Sequence, residues 1–209
     1  MAMTAEQSDA LTTYCNCLQS AKKRLELVEA VTSGRLRIDH ESVDAEFACL
    51  QLRKALELIA FASVAAHKEI YSQAHADFAT HWSAKKLLKK LGNLHPDFYP
   101  RPVRIAEPER PGPKHLIPIE SDYLNKEDFV FLYDTCSDAL HEWNPYRSAP
   151  RVVDFRHSVS EWVVRIRRLL EMHWIAFVGT LDIFVVVFNG PDGCVHASYA
   201  EGRPSASPG

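Results

Sequence analysis

Arg53 and Glu57 stand four residues apart in the run LQLRKALELIAF, one helical turn, where a guanidinium could hold a phosphate while a carboxylate orients a base. The same spacing equally describes a structural ion pair on the inner surface of a helical bundle. A second group, His141, Trp143, Asn144 and Tyr146, is the densest polar and aromatic cluster of the chain. It combines a proton-transfer group with stacking surfaces and an amide at a helix end before Pro145, which reads as a ligand-contacting site or as a cap and staple. A third pair, Arg168 and His173, supplies the two groups that metal-independent RNA cleavage needs, a cation for the crowded phosphate and a general acid or base. His141, Arg168 and His173 are therefore the catalytic candidates. Arg–His pairs at five to seven positions also occur at Arg35/His40, Arg110/His115, Arg151/His157 and Arg167/His173, where roughly two are expected by chance. Arg168 and His173 diverge by about 140° on a helix, so packing or a helix C-terminal dipole is the expected role of His173.

Local charge adds binding candidates. Lys85, Lys86, Lys89, Lys90, Arg101 and Arg104 are opposed locally by Asp97, and Arg147, Arg151, Arg156, Arg165, Arg167 and Arg168 outnumber Asp154, Glu161 and Glu171. Trp82, Phe98 and Tyr99 accompany the first stretch, and Tyr146 and Trp162 the second. Cations beside aromatics are what single-stranded nucleic acid uses for backbone attraction and base stacking, although a solvated helix face reads the same way. Lys85, Lys86, Lys89, Lys90, Arg101, Arg104, Arg165 and Arg168 are the nucleic-acid contact candidates. His75, Asp77 and His81 do not make a metal site, because His75 and His81 point about 240° apart on a helix and no third ligand is spaced to help. With no Gly-rich phosphate loop, dinucleotide fingerprint or nucleophile elbow, no cofactor is expected.

These residues must be positioned by helices. Leu11, Tyr14, Leu18, Leu25 and Val28 recur at helical spacings and Gly34 supplies a stop, giving a helix or helical pair over the first 33 residues. RLRIDHES reads as a brief strand or linker, and Ser42 or Asp44 as the cap of a long helix running to about Ser72. Glu46, Arg53 and Glu57 lie within roughly 40° on that helix, and His67, Lys68 and Tyr71 extend the stripe. HWSAKKLLKKLGN makes another helix with Gly92 at its C-terminal cap. From Asn93 to Asp122, seven prolines exclude a continuous helix or central strand and predict a long connection. Asn125 caps a helix carrying Phe129, Leu132, Tyr133, Cys136 and Leu140, and a last helix spans about Asp154 to Met172. Thereafter Trp174 to Val178, Ile183 to Phe188 and Cys194 to Tyr199 are β-rich, with NGPDG as a turn.

The expected class is α+β, mainly α. A bundle of about five helices (residues 1–173, with the Pro-rich connection at 93–122) carries a C-terminal antiparallel β-hairpin or three-stranded meander at 174–200, and the tail 201–209 is expected to be disordered. The chain has 209 residues, 46% hydrophobic and 24% charged, with a net charge of -3, so no global pull toward polyanions exists. No segment reads as a signal peptide or membrane span, which predicts a cytoplasmic protein with no membrane partner. Five scattered cysteines, Cys15, Cys17, Cys49, Cys136 and Cys194, read as reduced thiols.

LQLRKALELIAF, followed by a basic helix, a long connection and LYDTCSDALHEWNPY, resembles the helical HEPN superfamily, particularly its bacterial members of unknown function. The matching positions are Arg53, Glu57, His141 and Asn144, within about residues 43–146. The resemblance implies a bundle of four or five helices, commonly a homodimer, whose nuclease members cleave RNA with an Arg and a His separated by four to six residues. Here no Arg precedes His141 at that distance; Asp134 and Asp138 occupy the neighbourhood. The expected function is therefore a non-catalytic, self-associating module that binds RNA or a protein partner, such as the product of a neighbouring gene, in bacterial stress response or phage defence. The alternatives are a metal-independent endoribonuclease using His141 or His173 with an Arg, and a structural interaction protein pairing through its C-terminal strands.

Overall fold

The computed structural model describes residues 4–38, 40–75, 78–106, 115–142, 146, 153–176 and 183–200. The Thr4 and Gln7 side chains start α1 (Ala5–Thr32) with a capping box, each accepting from the other's backbone N–H, and Gly34 at φ 73° follows its end. α1 is one continuous helix rather than a helical pair. Its Tyr14, Leu18, Ala21, Leu25 and Val28, at alternating steps of four and three, are fully buried. They pack on α2 (Glu41–Ala66), whose Ala48, Ala55 and Ala62 recur every seven residues and let the two helices approach closely. The N-cap of α2 is His40, without a side-chain cap bond; Asp44, expected as a cap, instead accepts from the Ile38 N–H at 2.8 Å.

α2 stops earlier than expected, at His67. The His67 N–H turns to the Val64 carbonyl and its ring Nδ1 bonds Ser63 O at 2.8 Å. The chain restarts as α3 (Lys68–Ala74), so His67 and Tyr71 leave the charged stripe and enter the core. A 3-10 turn at Phe78–Thr80 leads to α4 (Ala84–Leu94). Gly92 lies inside α4 rather than capping it, its Cα side turned to the Phe98 ring, from which a Cβ would sit at an ordinary contact distance of 3.4 Å, and the C-cap is His95.

The Pro-rich connection holds two strands that the sequence did not announce, β1 (Arg101–Ala106) and β2 (His115–Pro118). Pro102 is tolerated because its nitrogen points to the β2 side, where its carbonyl accepts from the Ile119 N–H just past the end of that edge strand, so β3, met at Arg101 with Trp174 and Pro102 with His173, loses no bond; Pro118 closes β2. After α5 (Lys126–Ala139) and α6 (Val159–Leu170) come β3 (Met172–Ala176), β4 (Ile183–Val187) and β5 (His196–Ala200). Among the described residues the result is a five-stranded antiparallel sheet in the order β2-β1-β3-β4-β5, larger than the expected hairpin or meander, beside six α-helices rather than about five.

The sheet has one face against the helices. His173, Ile175, Phe184 and Val186 point inward into a single core shared with Leu52, Ile59, Phe129, Trp162 and Ile166. Each large apolar side chain buried there contributes about 1.5–3 kcal/mol. The opposite face carries Met172, Trp174, Ala176, Ile183, Val185 and Val187, each partly buried and none of them packed against the core.

Candidate functional site

Residue 53 lies mid-way along α2, where Tyr133 of α5 meets it. Arg53 Nε donates to Glu57 Oε1, Arg53 Nη2 to Tyr133 Oη, and Tyr133 Oη to Glu57 Oε1, each at 3.3 Å. The guanidinium also lies 5.1 Å from the Tyr133 ring centroid. The three groups form a closed, partly buried ring. Burial works against the Arg53 charge, but Tyr133 and Glu57 more than offset it and raise the guanidinium's pKa. Below this ring, Cys49 and Cys136 share a thiol hydrogen bond, which with burial holds the Cys136 thiol protonated.

His141 is exposed just beyond the end of α5, and the six steps from Tyr133 to Ala139 alone span about 9 Å of helix. The described chain therefore does not bring His141 against the Arg53–Glu57–Tyr133 ring. Tyr146 is 94% exposed; Trp143, Asn144 and Pro145 lie outside the described residues.

His173 sits in the middle of the core. Its Nδ1 faces Leu170 O at 3.0 Å and its Nε2 faces Tyr14 Oη at 2.7 Å. A carbonyl can only accept, so Nδ1 carries the proton and the Tyr14 hydroxyl donates to Nε2. Burial lowers the pKa of His173 to about 4. Arg168 points elsewhere, to Asp122 at 3.4 Å. Of the remaining Arg–His pairs, Arg110 and Arg151 lie outside the described residues, and Arg167 holds Glu29 of α1 by two bonds, 2.6 and 2.8 Å long.

Four of the eight basic candidates, Lys85, Arg101, Arg165 and Arg168, are matched with acids. Lys85 reaches Asp134 of α5 at 2.5 Å, Arg165 reaches Asp128 at 3.5 Å, and Arg101 pairs with Asp97 while stacking 4.9 Å from the Trp174 ring. Lys90 donates to His81 Nε2 at 2.8 Å, leaving the Nδ1 proton of His81 for Tyr71 Oη at 3.0 Å. Lys86, Lys89 and Arg104 are exposed, and Trp82 beside α4 is 65% exposed. The pairing with Asp134 and Asp128 was invisible in the sequence because those acids lie some forty residues from their cations.

Two groups of residues were not assembled from the sequence. The first is a histidine corner where α2, α3 and α4 meet: His75 and His81, expected to point about 240° apart on one helix, lie between α3 and α4 instead with their rings 5.5 Å apart, and the His67 and His95 rings are 5.1 Å apart. Burial first, and the neighbouring His95 as well, lower the pKa of His67. Among the described residues no group of three His, Cys, Asp or Glu side chains is arranged to hold a metal ion. The second is a cavity of about 500 Å³ between residues 96–102 and 118–127. Its signal in the sequence was the aromatic and proline content of PDFYPRP, which was assigned to a connection.

Comparison with family models, with curated proteins and with solved structures gave no match to this chain. No helix among the described residues is long and apolar enough to cross a membrane.

Proposed function

We propose that the protein is a non-catalytic interaction module, HEPN-like in its helices, that self-associates through its sheet. The observation that carries this reading is the apolar register on the face turned away from the helices. Across the strands it reads Arg101, Trp174, Val185, Ser198 in one row, with Met172 opposite Val187 and Ala176 opposite Ile183 in the rows beside it. A two-fold axis parallel to the strands at the β3/β4 boundary sets Trp174 of one copy over Val185 of the other and Arg101 over Ser198, so no like charges meet. Four strands of five residues cover roughly 19 by 17 Å, less than the ~800 Å² per partner typical of a stable complex, so the association is concentration-dependent.

The non-catalytic part of the reading is supported by what the candidate groups already do. Arg53 is engaged by Glu57 and Tyr133, Arg168 by Asp122, and His173 by Tyr14 and Leu170. A protein ligand is favoured over RNA because Lys85, Arg101, Arg165 and Arg168 each face a carboxylate. RNA binding remains the second reading, favoured by Lys86 and Lys89 near the exposed Trp82.

Sedimentation velocity of the full chain across a concentration series tests the proposal. The expected result is a reversible dimer that Val185→Glu converts to a single copy with unchanged circular dichroism. A wild-type chain that stays single at high concentration would sink it. So would cleavage of labelled RNA in EDTA that disappears in His141→Ala, which would establish the ribonuclease alternative instead.

A further inference from the structure

The cavity between residues 96–102 and 118–127 is held open by three cross-links between its walls. Ile119 N donates to Pro102 O at 3.0 Å, Tyr99 Oη to Leu124 O at 2.9 Å, and Lys126 Nζ to Pro96 O at 3.0 Å. The walls are made of rigid, flat side chains, Tyr99 and Tyr123 with Pro100, Pro102 and Pro118, and the first turn of α5 closes one end. Its shape is therefore set before any ligand arrives, which lowers the entropic cost of binding.

The charges inside the cavity divide by sign. Of its two cations, Arg101 is matched by Asp97 and the Trp174 ring, whereas Lys126 keeps its charge, its ammonium donating to the neutral Pro96 carbonyl and lying 4.7 Å from the Phe98 ring. Its other carboxylates, Glu120 and Glu127, are exposed at the rim, and among the described residues neither is matched by a cation. A ligand entering the cavity meets two unmatched carboxylates against the single Lys126 ammonium, beside the half-buried Tyr123 ring and the exposed Pro118 ring, with Tyr99, Pro100 and Pro102 buried behind them. Proline-containing segments in the extended polyproline conformation dock on such surfaces with little ordering cost, and a Lys or Arg beside the proline would face the carboxylates.

We propose that this cavity binds an extended, proline-containing peptide segment of a partner protein that carries a basic residue. The cavity shares Arg101 with the face proposed for self-association, but Val185, the residue varied to test that face, does not line it.

Fluorescence anisotropy on the full chain, with a labelled hexapeptide of sequence Pro-Pro-Arg-Pro-Pro-Arg, tests it. Saturable binding is expected, weakened tenfold or more by Glu120→Gln with Glu127→Gln, and absent for the peptide with Glu in place of Arg. Val185→Glu should bind the peptide as the wild type does, so failure of one proposal does not entail failure of the other. Glu120→Gln alone, a change at an exposed loop position, should weaken binding in the same direction and guards against an effect of Glu127 on α5. No saturable binding, or equal binding by the double variant, overturns the proposal. Displacement of the peptide by equimolar arginine amide or spermidine would overturn the peptide assignment in favour of a small organic cation, and displacement by an oligonucleotide in favour of nucleic acid.

Discussion

The Tyr14 hydroxyl on α1 donates a 2.7 Å hydrogen bond to His173 Nε2 on β3, joining the first helix to the centre of the sheet inside the core. Because His173 is neutral there, with a pKa of about 4 against about 6.5 unfolded, folding disfavours its protonation. The unfolded chain takes up the proton first as pH falls, so stability is full above pH ~6.5 and declines until about pH 4. The loss over that window is on the order of 3 kcal/mol from this group, and His67, lowered in the same direction by burial, adds to it. Urea denaturation at a series of pH values should show the decline, and His173→Gln should flatten it. A wild-type midpoint constant from pH 7 to 4.5 would contradict the assignment.

Tyr133→Phe removes a hydroxyl that donates to Glu57 and accepts from Arg53. The expected cost is about 1 kcal/mol, with Arg53 and Glu57 still paired. A double-mutant cycle with Glu57→Gln should show a coupling of roughly 0.5–1 kcal/mol. If the ring were a ligand site held in readiness, these changes would alter partner binding and leave the unfolding midpoint where it was.

The i,i+4 spacing made the Arg53–Glu57 pair legible, but Tyr133 lies 80 residues away from Arg53 and gave no local sign of closing the ring. Caps behaved the same way. Asn125 announces α5 because its side chain accepts from the Asp128 N–H, whereas Ser158 caps α6 in the same way without announcing it, and α6 begins at Val159 instead of about Asp154. Nothing in VAAHKEIY announces the break at His67, whose ring bonds the Ser63 carbonyl while its N–H closes a tighter turn on Val64. The strands of the proline segment were hidden for a further reason. Pro102 forbids a ladder bond at its own nitrogen, yet β1 acquires its place in the sheet from β3, some seventy residues later.

Arg167 grips Glu29 through Nε and Nη2, a fork that ties α6 to α1. Lysine keeps the charge and loses the fork, so Arg167→Lys should cost about 1 kcal/mol, nearly as much as Arg167→Ala. The pair is about one-third exposed, so part of the effect should fade at high salt. Thermal melts at low and high ionic strength separate geometry from charge: equal losses for Lys and Ala variants at both would assign the contribution to the planar fork and its packing.

The β4–β5 turn makes opposite demands on its two glycines. Gly193 has φ 77° with no atom within 4 Å of an added Cβ, so Gly193→Ala meets backbone strain alone and should cost about 1 kcal/mol. Gly190 has ordinary φ, but a Cβ there would lie 2.3 Å from His196 Cδ2 and 3.1 Å from the Cys194 carbonyl. His196 is also the partner of Asp192 at 2.7 Å, and the Gly190 N–H bonds Cys194 O at 2.8 Å. Displacing the ring therefore breaks the hydrogen bond to Asp192, and displacing the carbonyl breaks the hairpin. Gly190→Ala should exceed Gly193→Ala in cost, at roughly 1–3 kcal/mol, and should recover substantially when combined with His196→Ala. Failure of that second change to restore the melting temperature would place the obstruction at the Cys194 backbone instead of the imidazole.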